Sequence, residues 1–214
     1  NSALPTLVKA ADGRCMAAHF GVYDYTASTN ITAEYQRMTH PVCDFARHMM
    51  QVALGGTGIQ LSDGATNIMP VGPHRPTDEK PLTKSQIAEN RRAVYHAWRL
   101  NFTDIQHSLK QGYYQGWDLH PTQFPLRYAA VYSFFLESLE STSRRLKSFM
   151  EKAAQVTLVG GIFDDAATGQ GLLNYFLRGI SCGAITEKDA EAAGLTLEEI
   201  QTRSFKKILQ GRQL

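Results

Sequence analysis

Gly112-Tyr113-Tyr114-Gln115-Gly116-Trp117-Asp118-Leu119-His120-Pro121-Thr122-Gln123 is the stretch on which the reading of the fold turns. A glycine stop precedes a short run fit for a strand. An Asp and a His stand at its far end, and a proline follows where a helix would open, a position at which its missing N–H costs nothing. Such a strand-to-helix junction sets polar groups at a strand's carboxyl end, where α/β proteins carry their chemistry. Immediately upstream, Ile87, Val94, Trp98, Phe102, Ile105 and Leu109 recur at helical spacing, which predicts one long helix from Thr83 to Gln111.

Two earlier segments repeat the pattern. Arg14 to Phe20 is a short, largely apolar run suited to a strand covered on both faces, and Gly21 to Ser28 has the turn-forming composition of a strand-end loop. From Pro41, the spacing of Val42, Phe45, Met49 and Val52 predicts an amphipathic helix that Gly55-Gly56 ends. Ile59 to Ser62 reads as a second strand, and Asp63-Gly64-Ala65-Thr66-Asn67 again gathers polar side chains at its end. Leu4 to Ala11 reads as a helix. Pro70, Pro73, Pro76 and Pro81 make the stretch from Met69 to Leu82 neither helix nor central strand. Strand and helix alternating three times argues for parallel strands joined by crossovers. Beyond Gln123 the chain turns helical: residues 123–154 in two pieces, an extended break from Val156 to Asp165, and a helix over 166–181. A short helix capped by Thr186 with Asp189 and a last one with a capping box from Thr196 and Glu199 complete it.

Composition narrows the classes. With 214 residues and 43% hydrophobic content the chain can bury a substantial core. A net charge of +2 supplies no field to hold nucleic acid or an anionic membrane, and no apolar run approaches the length of a membrane span. Cys15, Cys43 and Cys182 are odd in number and far apart, which fits a reducing cytoplasm better than a disulfide framework.

Asp24, Asp63 and Asp118 each stand at or beside the end of an expected strand. A parallel sheet would bring some of them to one rim, and converging carboxylates suit Mg²⁺, a hard ion that keeps positions open for substrate. An Asp in a turn is usually there for an Asx-turn or a helix cap, and a histidine placed as His120 is before Pro121 is more often packed and hydrogen-bonded than a base. Serine-hydrolase, P-loop and dinucleotide fingerprints are missing from the sequence.

Three segments carry a resemblance. Gly116 to Gln123 resembles the glycine, strand, Ile-His-Pro-x-Gln signature of the citrate lyase β-subunit-like and HpcH/HpaI aldolase superfamily. Phe20 to Ser28 is similar to that superfamily's Gly-x-x-Asp-Leu-x-Ala segment, and Gly160-Gly161-Ile162-Phe163-Asp164 to the Gly-x-Met-Ile-Asp turn of the citrate lyase branch. The resemblance implies a (β/α)8 TIM barrel, and a Mg²⁺- or Mn²⁺-dependent lyase or aldolase that makes or breaks a carbon–carbon bond through a metal-stabilised enolate. Its substrate would be a 2-oxo acid or a coenzyme A thioester. By the same carry-over Asp24 is the metal ligand, Asp164 the catalytic acid/base group, and Gly21, Tyr23 and Asp63 line the substrate pocket. His120 and Gln123 match positions of structural use.

The family's metal-binding glutamate and substrate-binding arginine belong to strands that this chain does not show. Residues 14–20, 58–62 and 115–119 would be the last three strands of a barrel that takes about 250 residues to close. The expected fold is therefore α/β: the C-terminal portion of a TIM barrel, three βα units over residues 1–136, with a helical C-terminal extension over 137–214. Assembly as a homo-oligomer, or with a missing N-terminal half, would cover the sheet edge so exposed. The alternative is a non-catalytic binding or regulatory relative that retains the barrel.

Overall fold

Residues 17–19 and 60–62 form the sheet around which the first half of the chain is arranged. β1 (Ala17–His19) and β2 (Gln60–Ser62) pair in parallel, with Ala17 opposite Gln60 and His19 opposite Ser62. The structure is a computed structural model that describes residues 3–158 and 166–212, the side chains of 152–158 and 166 excepted. Among the described residues the helices are α1 (Ala3–Ala10), α2 (Val22–Ser28), α3 (Pro41–Leu54), α4 (Lys84–Lys110), α5 (Phe124–Leu136), α6 (Leu139–Leu158), α7 (Ala166–Ser181), α8 (Glu187–Ala192), α9 (Leu197–Thr202) and α10 (Phe205–Arg212).

The expected three-unit portion of a TIM barrel does not form. Helix accounts for 63% of the structure and strand for 5%, and the one sheet among the described residues has two strands. The third strand, expected over 115–119, is reduced to a single parallel bridge between Gln115 and Ser62. The reason is local. At the far end of this run Leu119 N, and His120 N just beyond it, both donate to Gln123 Oε1, at 2.7 and 3.1 Å. Those two amides are therefore withdrawn from any ladder with β2. The segment after β1 also differs from expectation: it is the helix α2 instead of an open loop, and Thr26 Oγ1 donates to Val22 O inside it.

The chain divides into two compact units, residues 1–130 and 131–214. In the first, Phe20, Val22, Met38, Cys43, Ala46 and Met50 form a buried cluster, with Leu4, Ala18 and Leu61 packed against it. α3 turns Cys43, Ala46, Arg47, Met50 and Leu54 inward, whereas Phe45 and Val52, expected on its core face, are exposed. α4 is rotated likewise: its buried residues are Ala97, Asn101, Asp104, Ile105, Ser108 and Leu109, while Ile87 is exposed. Both helices start where local chemistry dictates, α3 at Pro41 and α4 at a capping box in which Thr83 and Gln86 satisfy each other's backbone amides.

The second unit is helical throughout its described residues. Its core includes Phe135, Leu146, Leu173, Phe176, Phe205 and Ile208. Gly169 is needed there, because a Cβ on it would stand 2.3 Å from the Phe205 ring. Capping boxes at Thr186/Asp189 and Thr196/Glu199 start α8 and α9 as the sequence predicts. α6 continues to Leu158, where an extended break was expected from Val156; residues 159–165 lie outside the described residues.

Candidate functional site

The rim at the carboxyl ends of β1, β2 and Gln115 gathers Gly21 to Asp24, Asp63 to Asn67 and Gly116 to Gln123, with α4 behind the second of these. Each of the three rim aspartates has its own surroundings. Asp63 is fully buried and bound on every side. Arg47 Nε donates to both of its oxygens, at 3.0 and 2.9 Å, Ser108 Oγ donates at 2.5 Å and Gly64 N at 2.8 Å. Asp118 is held by the Arg127 guanidinium, through Nε and through Nη2 at 3.0 Å. Asp24 differs. It is exposed in the first turn of α2 and has no hydrogen-bonding or ionic partner among the described residues.

Arg47 is the centre of the buried chemistry. Its guanidinium, with no solvent exposure, also donates to Asp44 Oδ1 at 2.9 Å and Met38 O at 2.9 Å, and stands 5.4 Å from the centre of the Phe20 ring. Asp44 in turn accepts from or pairs with His107 Nε2 at 2.8 Å. Beside this lies a second polar group on α4. Thr66 Oγ1 donates to Asp104 Oδ2 at 2.7 Å and accepts from Asn101 Nδ2 at 3.3 Å, while Asn101 Oδ1 is buried without a hydrogen-bond partner. Burial pushes the Asp104 carboxyl up to about 6, against the opposing pull of Thr66, His107 and Arg47. Gln123 completes the lacing, since its Nε2 donates to Thr66 O at 3.0 Å while its Oε1 holds the Leu119 and His120 amides.

Sequence reasoning named Asp24, Tyr23, Gly21 and Asp63, and the structure brings these to one rim. The Tyr23 hydroxyl donates to Ala65 O at 2.9 Å and accepts from Asn67 N at 3.1 Å, tying α2 to the loop after β2. Burial raises its pKa to about 12, so it keeps its proton at neutral pH. Gly21 caps α2; a Cβ there would stand 3.0 Å from Asp24 Oδ2, so the bare glycine leaves room for the carboxylate to fold back toward the helix start. That placement also complements the helix dipole. Asp164 lies outside the described residues. His120 accepts from Thr122 N at its Nδ1 and caps the turn at Pro121.

Sequence reasoning missed Arg47, Asp44, Asn101, Asp104 and Ser108. The last three fall at i, i+3 and i+7 on the same face as Ile105, a pattern that a search for apolar residues passes over. Among the described residues no three His, Cys, Asp or Glu side chains lie together in a way that could hold a metal ion.

The architecture defines a largely helical protein built on a small parallel sheet, with an arginine–carboxylate network behind one rim. The chain belongs to the family described as Domain of unknown function (DUF6986), whose model matches residues 1–208. No curated protein and no solved structure matches it.

Proposed function

We propose that this chain contributes a rim of a Mg²⁺- or Mn²⁺-dependent carbon–carbon lyase or aldolase that acts on a 2-oxo acid or an acyl-CoA-type substrate. The observation that carries the reading is the unpartnered, exposed carboxylate of Asp24 at the end of β1, beside a loop that Tyr23 fixes. Mg²⁺ keeps several waters and is commonly held by one or two carboxylates together with substrate oxygens. Asp24 with water and substrate fits a weakly held ion of that kind; Asp63 and Asp118 are spent on guanidinium groups. When bound, the ion would offset negative charge developing on the substrate's carbonyl oxygen. Asp24 would hold it, Gly21 would leave room for that carboxylate, and Tyr23, with both hydroxyl bonds committed to backbone, would position the loop without moving a proton. Asp164 takes the acid/base role in this reading on the strength of the resemblance. A cytoplasmic setting and self-association belong to the same proposal.

Isothermal titration of Mn²⁺ in the presence of oxalate, which mimics a 2-oxo acid, tests the ligand. Asp24→Asn is expected to weaken binding by at least about tenfold. Equal affinity would remove the basis of the reading.

The engagement of Asp63 and Asp118 favours a second reading, a binding or regulatory relative without turnover. Exchange of the pyruvate methyl protons in D₂O with Mn²⁺ separates the two. The lyase reading expects exchange that Asp24→Asn abolishes; the second expects metal and oxalate to bind with no exchange.

A further inference from the structure

Away from the rim, the proline-rich segment after β2 runs against α4 and leaves a groove of about 500 Å³. Its seat is built. Asn90 clasps the segment at two points, with His74 N donating to its Oδ1 at 2.9 Å and its Nδ2 donating to His74 O at 2.8 Å. Gly72 passes so close that a Cβ on it would stand 2.5 Å from Asn90 Cγ. The groove is therefore preformed and does not depend on a ligand to order it.

Its lining combines two chemistries. Tyr95 and Trp98, with ring centres 5.9 Å apart and planes at 46°, make an aromatic wall with Val71 and Val94. The Trp98 ring is fixed by its Nε1, which donates to Thr122 O at 3.2 Å. Arg75 and Arg91 line the same groove and neither forms an ion pair among the described residues. The neighbouring acid, Glu89, is already taken by His74 Nε2 at 2.6 Å and Ser85 Oγ at 3.0 Å.

Aromatic faces recognise a planar ring, and guanidinium groups recognise phosphate through paired charge-assisted hydrogen bonds. We propose that this groove binds a mononucleotide, its base against Trp98 and Tyr95 and its phosphate at Arg75 and Arg91. The volume lies within the range of small-molecule sites, and the net charge of +2 favours a free nucleotide over a nucleic acid chain. The site is independent of Asp24.

The test is a titration of the chain carrying Trp117→Phe, which leaves Trp98 as the sole tryptophan, with ADP, adenosine and a single-stranded oligoadenylate, read by tryptophan emission and by calorimetry. Saturable quenching by ADP is expected, with adenosine at least about tenfold weaker, and with Arg75→Ala and Arg91→Ala each weakening ADP by about tenfold. Both arginines are exposed, so these variants should keep the fold. Gly72→Ala, which disturbs the clasp, should weaken ADP as well, and Asp24→Asn should leave it unchanged. No saturable response to ADP at millimolar concentration, equal affinity for ADP and adenosine, or binding of the oligonucleotide alone would each overturn the assignment.

Discussion

Replacing Arg47 by methionine should destabilise residues 1–130 more than any surface change could. The substitution keeps most of the aliphatic volume and removes the guanidinium. Asp63, which has no exposure, is then left with Ser108 Oγ and Gly64 N as its donors, while Met38 O and Asp44 each lose one. Breaking one side of a buried ion pair costs about 3–5 kcal/mol, because the surviving charge stays in the interior uncompensated. A domain's whole stability is about 5–15 kcal/mol, so the loss consumes a large share of it. Asp63→Asn alone should cost less, on the order of 3 kcal/mol, since Arg47 retains Asp44. The double variant Arg47→Met/Asp63→Asn leaves no orphaned charge at the pair and should fall short of the summed single losses by about 2 kcal/mol or more. Urea unfolding followed by tryptophan emission reads this directly, because Trp98 and Trp117, the chain's two tryptophans, both lie in the first unit. With a slope of about 1–3 kcal/mol per molar urea, a loss of about 4 kcal/mol moves the midpoint by roughly 1–4 M. Single losses below about 1 kcal/mol, or strict additivity in the double variant, would refute the view that this pair organises the unit.

Asp104 gives a pH dependence of fixed sign. Its carboxyl titrates near 6 in the fold, above the ordinary carboxylate range, so the folded state holds the proton more tightly and stability falls as pH rises from about 4 through 6. The contribution amounts to as much as about 3 kcal/mol, and Asp104→Asn should flatten the slope of urea midpoint against pH over that window. Gln123, also without exposure, should cost about 1–3 kcal/mol as Gln123→Ala, because the buried Thr66 carbonyl and the part-buried Leu119 and His120 amides lose their partner. Amide hydrogen exchange at Leu119 and His120 should quicken in that variant, and unchanged protection there would count against the lacing.

What could be read from the sequence was what neighbouring residues decide among themselves. Thr83 with Gln86, Thr186 with Asp189 and Thr196 with Glu199 lie three residues apart, and each pair closes a capping box by itself. Pro41 fixes the start of α3 in the same local way. The rotation of α3 was not legible, because Arg47 counts as polar in any periodicity search. Its partner Asp63 stands 16 residues downstream, so only the folded chain shows that the charge is satisfied. With Arg47 directed inward, Cys43, Ala46, Met50 and Leu54 follow, and Phe45 and Val52 turn outward. On α4 the inward turn of Asn101, Asp104 and Ser108 has the same origin, since Ser108 answers Asp63 and Asp104 and Asn101 answer Thr66. The run Gln115 to Leu119 looked like a strand because its composition suits one. Gln123 takes the amide of Leu119 at its end and that of His120 just beyond, and the pairing stops at Gln115.

The same reasoning sorts the rim aspartates, which share one local description: an acid at or just past the end of an extended run. Their fates diverge because of groups that arrive from elsewhere in the chain. Asp63 meets a guanidinium from α3 and a hydroxyl from α4, and Asp118 meets Arg127 from α5. A carboxylate whose two oxygens both accept from an arginine has its charge balanced by that partner and draws an ion or a substrate less strongly. Asp24 sits on the surface turn of α2, where no cation among the described residues reaches it, so its oxygens remain available. Availability for chemistry is thus set by competition within the fold, and the one rim acid that loses no lone pair to a cation is the one on which a functional test should be placed.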